Sequence, residues 1–164
     1  MRTDAPTQYR DTEVDVKVVL SALWIAMLFV FAYVDIFGFY RADVLRAALD
    51  GEVGSTGFQV NQVFLTATLL YLLIPISMVV ASLLLKPRLN RVINIVVSLL
   101  LTITILASCV GETWTYYIVG SVVESVLLLV IARTAWTWPE LSGRARAATT
   151  PAGRAAPSMT PGAS

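Results

Sequence analysis

Glu124 stands in the middle of an apolar stretch, residues 114–138. A carboxylate at the centre of a membrane-spanning helix costs on the order of 3 kcal/mol if it is charged and faces lipid. The group therefore needs a proton, a partner or a task. Asp35, near the end of another apolar stretch, raises the same question closer to water. Two such acids can bind and release a proton or a cation, or anchor a polar ligand. Other chemistries are narrowed by what the chain lacks. It contains no histidine, which removes His-ligated haem, Ser-His-Asp and Cys-His catalysis, and most zinc and iron sites. Its one cysteine, Cys109, cannot form an intrachain disulfide and reads as a packing thiol in an apolar run. No phosphate-binding glycine loop, metal cluster or nucleophile elbow is present. The expectation is a protein that is not an enzyme and carries no cofactor and no metal.

The elements that must position these acids follow from composition. Of the 164 residues, 57% are hydrophobic and 14% charged, against about 45–50% and about 25% in soluble domains. Mean hydropathy is +0.73. The apolar residues gather in four blocks, at about 18–39, 60–85, 92–110 and 114–138. At about 1.5 Å per helical residue each is long enough, or nearly so, to cross a core of about 30 Å. A cleaved signal peptide is a rival reading of the first block. The block is too long for one, acids precede it (Asp11, Glu13, Asp15), and no small-residue cleavage site follows. Pro75 inside the second block predicts a kink. The organisation expected is a polar tail at 1–15, a four-span domain at 16–139, and a tail at 140–164 too rich in Ala, Pro, Ser, Thr and Gly to fold.

The fold predicted is all-α, an antiparallel four-helix transmembrane bundle. The connection at 86–91 is short, as is that at 111–113, so consecutive helices should be antiparallel neighbours. The longer connection at 40–57 has a pattern of its own. Val44, Leu45, Ala48 and Leu49 fall in one helical arc, with Asp43, Arg46 and Asp50 opposite and Gly51 suited to the C-terminal turn. It reads as a short interfacial helix between spans one and two, or else as a polar loop with one helical turn. Ten of the twelve basic residues fall on one side: Arg2, Arg10, Lys17, Lys86, Arg88, Arg91, Arg133, Arg144, Arg146 and Arg154. Arg41 and Arg46 fall on the other. The positive-inside rule then puts both termini in the cytoplasm of a bacterial inner-membrane protein. Lys86, Arg88 and Arg91 read as topology signals that touch lipid headgroups. Trp136, Trp138, Tyr40 and Trp114 fit the aromatic belts, whereas Trp24 sits deeper than a belt residue should. Net charge of +1 and the absence of a basic face argue against nucleic acid.

Several segments resemble one known family. They are Asp15-Val16-Lys17 with Leu20-Ser21-Ala22-Leu23-Trp24-Ile25, Tyr33-Val34-Asp35-Ile36, Ile74-Pro75-Ile76-Ser77-Met78-Val79, Asn90-Arg91-Val92-Ile93-Asn94-Ile95, Tyr117-Ile118 with Glu124, and Ala135-Trp136-Thr137-Trp138. Together they resemble the bacterial DUF6326 family, uncharacterised four-helix membrane proteins. The resemblance spans about residues 14–139 and singles out Asp35 and Glu124 as motif positions. It implies fold and location but no reaction. Members tend to carry an acid just before the Ile-Pro-Ile segment, where this chain has Leu72 and Leu73.

Within the spans, Tyr117, Gly120, Ser121, Leu128 and Ile131 share an angular sector with Glu124, and the small residues among them predict that Glu124 faces the bundle interior. Asp35 shares an ideal helical face with Trp24, Leu28, Ala32 and Phe39. Asn94, Ser98 and Thr102 form a polar stripe that reads as interhelical glue. Glu124 lies about ten residues inside the outer end of its span, about 15 Å deep, and Asp35 about four residues, about 6 Å deep. A direct carboxyl pair would need staggered helices. Depth matches Glu124 to Thr68, Tyr71 or Thr102, and Asp35 to Asn61, Gln62, Glu112 or Tyr116. Tyr117 completes the supporting set. Glu124 is thus either a proton, cation or ligand site, or a protonated group hydrogen-bonded to a neighbouring helix that fixes packing. Asp35 is either part of the same cleft, a helix cap, a partner of Arg41, or solvated among headgroups. Three functional readings stand: a non-enzymatic accessory or oligomeric membrane component, associated with itself or another membrane protein in the lipid bilayer; a small proton- or cation-coupled carrier; and a quinone-binding redox component.

Overall fold

The first long helix starts where a polar side chain closes its open end. The Asp15 carboxylate accepts a hydrogen bond from the Lys17 backbone N–H at 2.7 Å, and α1 runs from Val16–Gly38. In this computed structural model residues 13–54 and 58–138 are described. The expected tails therefore lie outside the described residues, apart from 13–15. A short helix, α2 (Ala42–Leu49), follows. It ends at Gly51, whose φ of 76° is the left-handed conformation that suits glycine after a helix. The loop beyond closes through an isolated bridge between Glu52 and Gln59.

Helix α3 (Gln62–Leu84) is capped by Asn61, whose Oδ1 accepts from Phe64 N–H at 2.9 Å, and it runs on through Pro75. Helix α4 (Pro87–Ser108) begins five residues before the apolar block at 92–110. Pro87 at its first position presets the backbone for a helix and has no N–H to leave unpaired. Asn90 then turns inward within the new first turns and is fully buried. Gly111, at φ 87°, makes the tight reversal into α5 (Thr115–Trp136). The expected fold, all-α with four long apolar helices and a short one between the first two, is the one observed.

The four long helices alternate in direction around the bundle. Helix α1 packs between α3 and α5, and α4 packs mainly on α5. The α3–α4 pair, despite its short connection at 85–86, shares a far narrower contact than these. Small residues explain the difference. Gly120, Ser121 and Ser125 are buried on α5 and admit close neighbours, whereas α3 buries only Pro75, Met78 and Ser82. Leu20, Trp24, Met27, Leu101, Ile105, Leu128 and Ile131 fill the centre.

Candidate functional site

A close approach of α5 to α1 at Gly120 sets the position of Glu124. A methyl group added at Gly120 would run into the Cγ2 of Val34, so α5 crosses α1 where no side chain fits between them. One turn further along α5, Glu124 enters the interior and is 3% exposed. Its Oε1 has no hydrogen-bond partner among the described residues, and neither does the Oγ of the adjacent buried Ser125. Orphaned buried oxygens of this kind are uncommon and call for an explanation.

Asp35 is the next residue along α1 after Val34, whose side chain meets Gly120. Its side chain is nonetheless exposed, although Trp24 on the same ideal face is fully buried. The reason is supercoiling. Leu20, Trp24, Met27, Phe31, Val34 and Gly38 advance by alternating steps of four and three, so the packed seam of α1 follows a 3.5-residue period. An ideal helix drifts about 20° per heptad from that seam, which leaves Asp35 on its flank.

The supporting residues predicted from depth do not converge on the two acids through hydrogen bonds. Thr68 donates to Phe64 O on its own helix at 2.9 Å, and Thr102 to Ser98 O at 2.8 Å. Tyr71 pairs with Thr104 across the α3–α4 seam at 2.9 Å, and Tyr117 donates to Ser108 Oγ at 3.0 Å. Asn61 caps α3, and the exposed Gln62 begins it. Between α1, α3 and α4 a cavity of about 10 Å³ is lined by Met27, Phe31, Tyr71, Pro75 and Leu101 among others. That is about the space of one water.

Two polar clusters emerge that the sequence reading did not assemble. At the end of the bundle where α1 begins, Asn94 Oδ1 accepts from Trp24 Nε1 at 2.7 Å and from Ser82 Oγ at 3.3 Å. The Asn94 amide donates to Asn90 Oδ1 at 2.6 Å and Asn90 O at 2.9 Å, and Asn90 Nδ2 donates to Ser82 O at 2.6 Å. Asn94 thus ties α1, α3 and α4 together, as glue, while Ser98 and Thr102 bond back to their own helix. Trp24 is a member of this network and not of an aromatic belt. The four-residue spacing of Asn90 and Asn94 was the available signal. Nearby, Arg91 lies over the Trp136 ring at 5.6 Å, and Lys86 and Arg88 are exposed.

At the opposite end, Arg41 pairs with Asp43 at 2.7 Å and with Glu112 at 3.0 Å, not with Asp35. It also lies over the Trp114 ring at 4.7 Å. The bond from Arg41 holds the Asp43 carboxyl below its ordinary range. Burial alone would push the Glu112 carboxyl up. The N–H of Trp114, the Arg41 guanidinium and the N–H of Thr113 outweigh that and hold it low. The guanidinium is raised in turn, first by Asp43. This latch joins the α1–α2 corner to the α4–α5 hairpin.

Four helices long and apolar enough to cross a membrane, packed around a buried acid, define a multi-pass membrane protein. The chain belongs to the DUF6326 family, described as a family of unknown function, which matches residues 10–143. No curated protein and no solved structure matches it.

Proposed function

We propose that this protein is a non-enzymatic component of the bacterial inner membrane, with both termini cytoplasmic, in which Glu124 takes up and releases a proton or cation. The observation that carries this reading is the unpartnered Oε1 of a carboxyl that is 3% exposed. A packing role predicts a hydrogen bond from Glu124 to a neighbouring helix, and none joins it among the described residues. Intramembrane acids without a structural partner are candidates for relays and ion sites. Lys17, Lys86, Arg88, Arg91 and Arg133 at one end of the bundle, against Arg41 and Arg46 at the other, support the orientation. Helix α2, with its apolar Leu45 and Leu49 exposed, then lies on the outer membrane surface. The narrow interior favours a working unit of several copies or one shared with another membrane protein.

The test is flux in proteoliposomes carrying a pH-sensitive dye. Wild type should dissipate an imposed proton or cation gradient faster than empty vesicles, and Glu124→Gln should not. Equal flux through both proteins would defeat the assignment.

A further inference from the structure

Tyr117, Ser121, Glu124, Leu128, Ile131 and Ala135 follow one another along α5 in steps of four and three residues, so they share one stripe of the helix. Glu124 divides that stripe. On one side stand two hydroxyls, the buried Ser121 and the half-buried Tyr117, whose O–H donates to Ser108 Oγ at the last residue of α4. On the other side stand Leu128, Ile131 and Ala135, all fully buried in one core with Leu20 and Trp24. Gly38 approaches Tyr116 and Val34 meets Gly120, so the hydroxyl side points to the end of the bundle where α1 finishes. The exposed Asp35 lies at that same end. Glu124 is separated from Tyr117 by about 10 Å, in steps of one helical turn of about 5 Å, a gap that a single water bridges. In the other direction about 16 Å of stripe carries no polar side chain. The Asn94 network beyond it is occupied by its own hydrogen bonds.

The same surroundings select the ion. Hard metal cations take about six oxygen ligands, and intramembrane cation sites draw on unwound backbone for them. Helices α1, α4 and α5 run unbroken past this level, so their carbonyls are engaged in helix. Ser125 has the other unpartnered buried oxygen, but it follows Glu124 directly and projects about 100° away around the helix. From α4, the buried Ser98, Leu101, Thr102 and Ile105 do not titrate, and the two hydroxyls donate to carbonyls of their own helix. The titratable groups toward the open end are Asp35, Tyr117 and Cys109, with the paired Arg41 and Glu112 beyond them. Among the described residues no three His, Cys, Asp or Glu gather to hold a metal ion. A proton needs only one oxygen. We propose that Glu124 exchanges a proton, and no metal ion, with the compartment at the end where α1 finishes. This rests on Glu124 being an exchanging group, as proposed above, and names its ion and its side. Flux to the other compartment then requires the helices to shift.

The test uses dicyclohexylcarbodiimide, a membrane-soluble reagent for protonated carboxyls, read by mass spectrometry of the Glu124 peptide, with Glu124→Gln as the unlabelled control. Helix α1 begins and α5 finishes at the sealed end, so a terminal affinity tag marks it. The full chain is reconstituted at low density in vesicles with a strongly buffered interior, and these are sorted by whether they display the tag. Raising external pH by about two units should cut labelling about fivefold or more in vesicles that hide the tag. Vesicles that display it should be unaltered. In detergent at fixed pH, sodium, potassium or magnesium chloride should give no protection. Labelling lost in tag-displaying vesicles, or in neither pool while the protein in detergent responds to pH, overturns the route. Protection by a metal ion overturns the choice of ion, and exchange at Glu124 stands in both cases. Labelling that ignores pH in detergent removes the exchange itself, and this inference with it.

Discussion

Replacing Glu124 by methionine should make this protein more stable and less active. Met keeps an unbranched side chain of similar length and removes the carboxyl. In the wild type, Oε1 is buried without a partner among the described residues, in a residue that is 3% exposed. A buried polar atom in that state costs about 1–3 kcal/mol. Removing it while keeping the volume should return that amount, because methionine fits irregular apolar gaps. For a chain of this size about 2–4 °C accompanies each kcal/mol, so the melting temperature should rise by roughly 2–12 °C. Glu124→Gln keeps a polar group in the same place and should show no such gain. Thermal melts in detergent, with a denaturant titration to obtain the free energy, measure the first effect. Proteoliposome flux measures the second. The signature is opposite movement, stability up and flux lost, the usual mark of a residue kept for function at some cost in stability. If Glu124→Met is instead destabilised by about 1 kcal/mol or more, the carboxyl holds helices together. The reasoning from its unpartnered oxygen would then be wrong.

Three further outcomes follow from the packing. Asn94→Ala strands the buried Trp24 Nε1 and Asn90 Oδ1 and should cost about 2–4 kcal/mol in denaturant unfolding, against about 1 kcal/mol for Trp24→Phe. Gly120→Ala places a methyl against Val34 and should cost about 1–3 kcal/mol, partly recovered in the double variant with Val34→Ala. The Arg41–Glu112 latch should be sensitive to acid. Glu112 is held below its ordinary value of 4.5 in the folded protein, so its contribution is present above that pH and is lost as pH falls through the lower folded value. Melting temperature should therefore drop between about pH 5 and pH 3 by an amount that Glu112→Gln reduces, and the effect should be small, as befits a partly exposed pair.

The bundle was legible because each span declares itself by length and apolar content, and because Gly51 and Gly111 mark reversals. The burial of Glu124 was legible from the small residues beside it. Three features were not. The ideal 3.6-residue wheel put Asp35 on the face of Trp24, but packing imposes a 3.5-residue seam, and the error grows along a helix. Depth matched Glu124 to Thr68, Tyr71 and Thr102, but the two threonine hydroxyls donate back to carbonyls of their own helices and Tyr71 pairs with Thr104. The start of α4 was missed because Arg88, Asn90 and Arg91 look like a loop by polarity. Pro87 and the four-residue spacing of Asn90 and Asn94 show that they are the first turns of a helix.

The distribution of satisfied and unsatisfied polar groups carries the last inference about how the fold works. At the end of the bundle where α1 begins, Trp24, Ser82, Asn90 and Asn94 are buried, and hydrogen bonds link all four into one network joining three helices. At the opposite end, Arg41 and Glu112 fasten the short-helix corner to the α4–α5 hairpin. Between these two fastenings lie Glu124 and Ser125, whose orphaned oxygens stabilise nothing in the described structure. Lipid supplies little hydrophobic drive for helices to associate, so hydrogen bonds and close packing must set the register. A bundle pinned at both ends tolerates an unsatisfied carboxyl between them. Local disagreement with the packing rules, surrounded by agreement, is where function is expected to reside. Weakening the Asn94 network should therefore disturb Glu124 indirectly by letting α1 and α4 shift, whereas Glu124 substitutions should leave the Trp24–Asn94 bond intact. Tryptophan fluorescence of the two variant series distinguishes those directions.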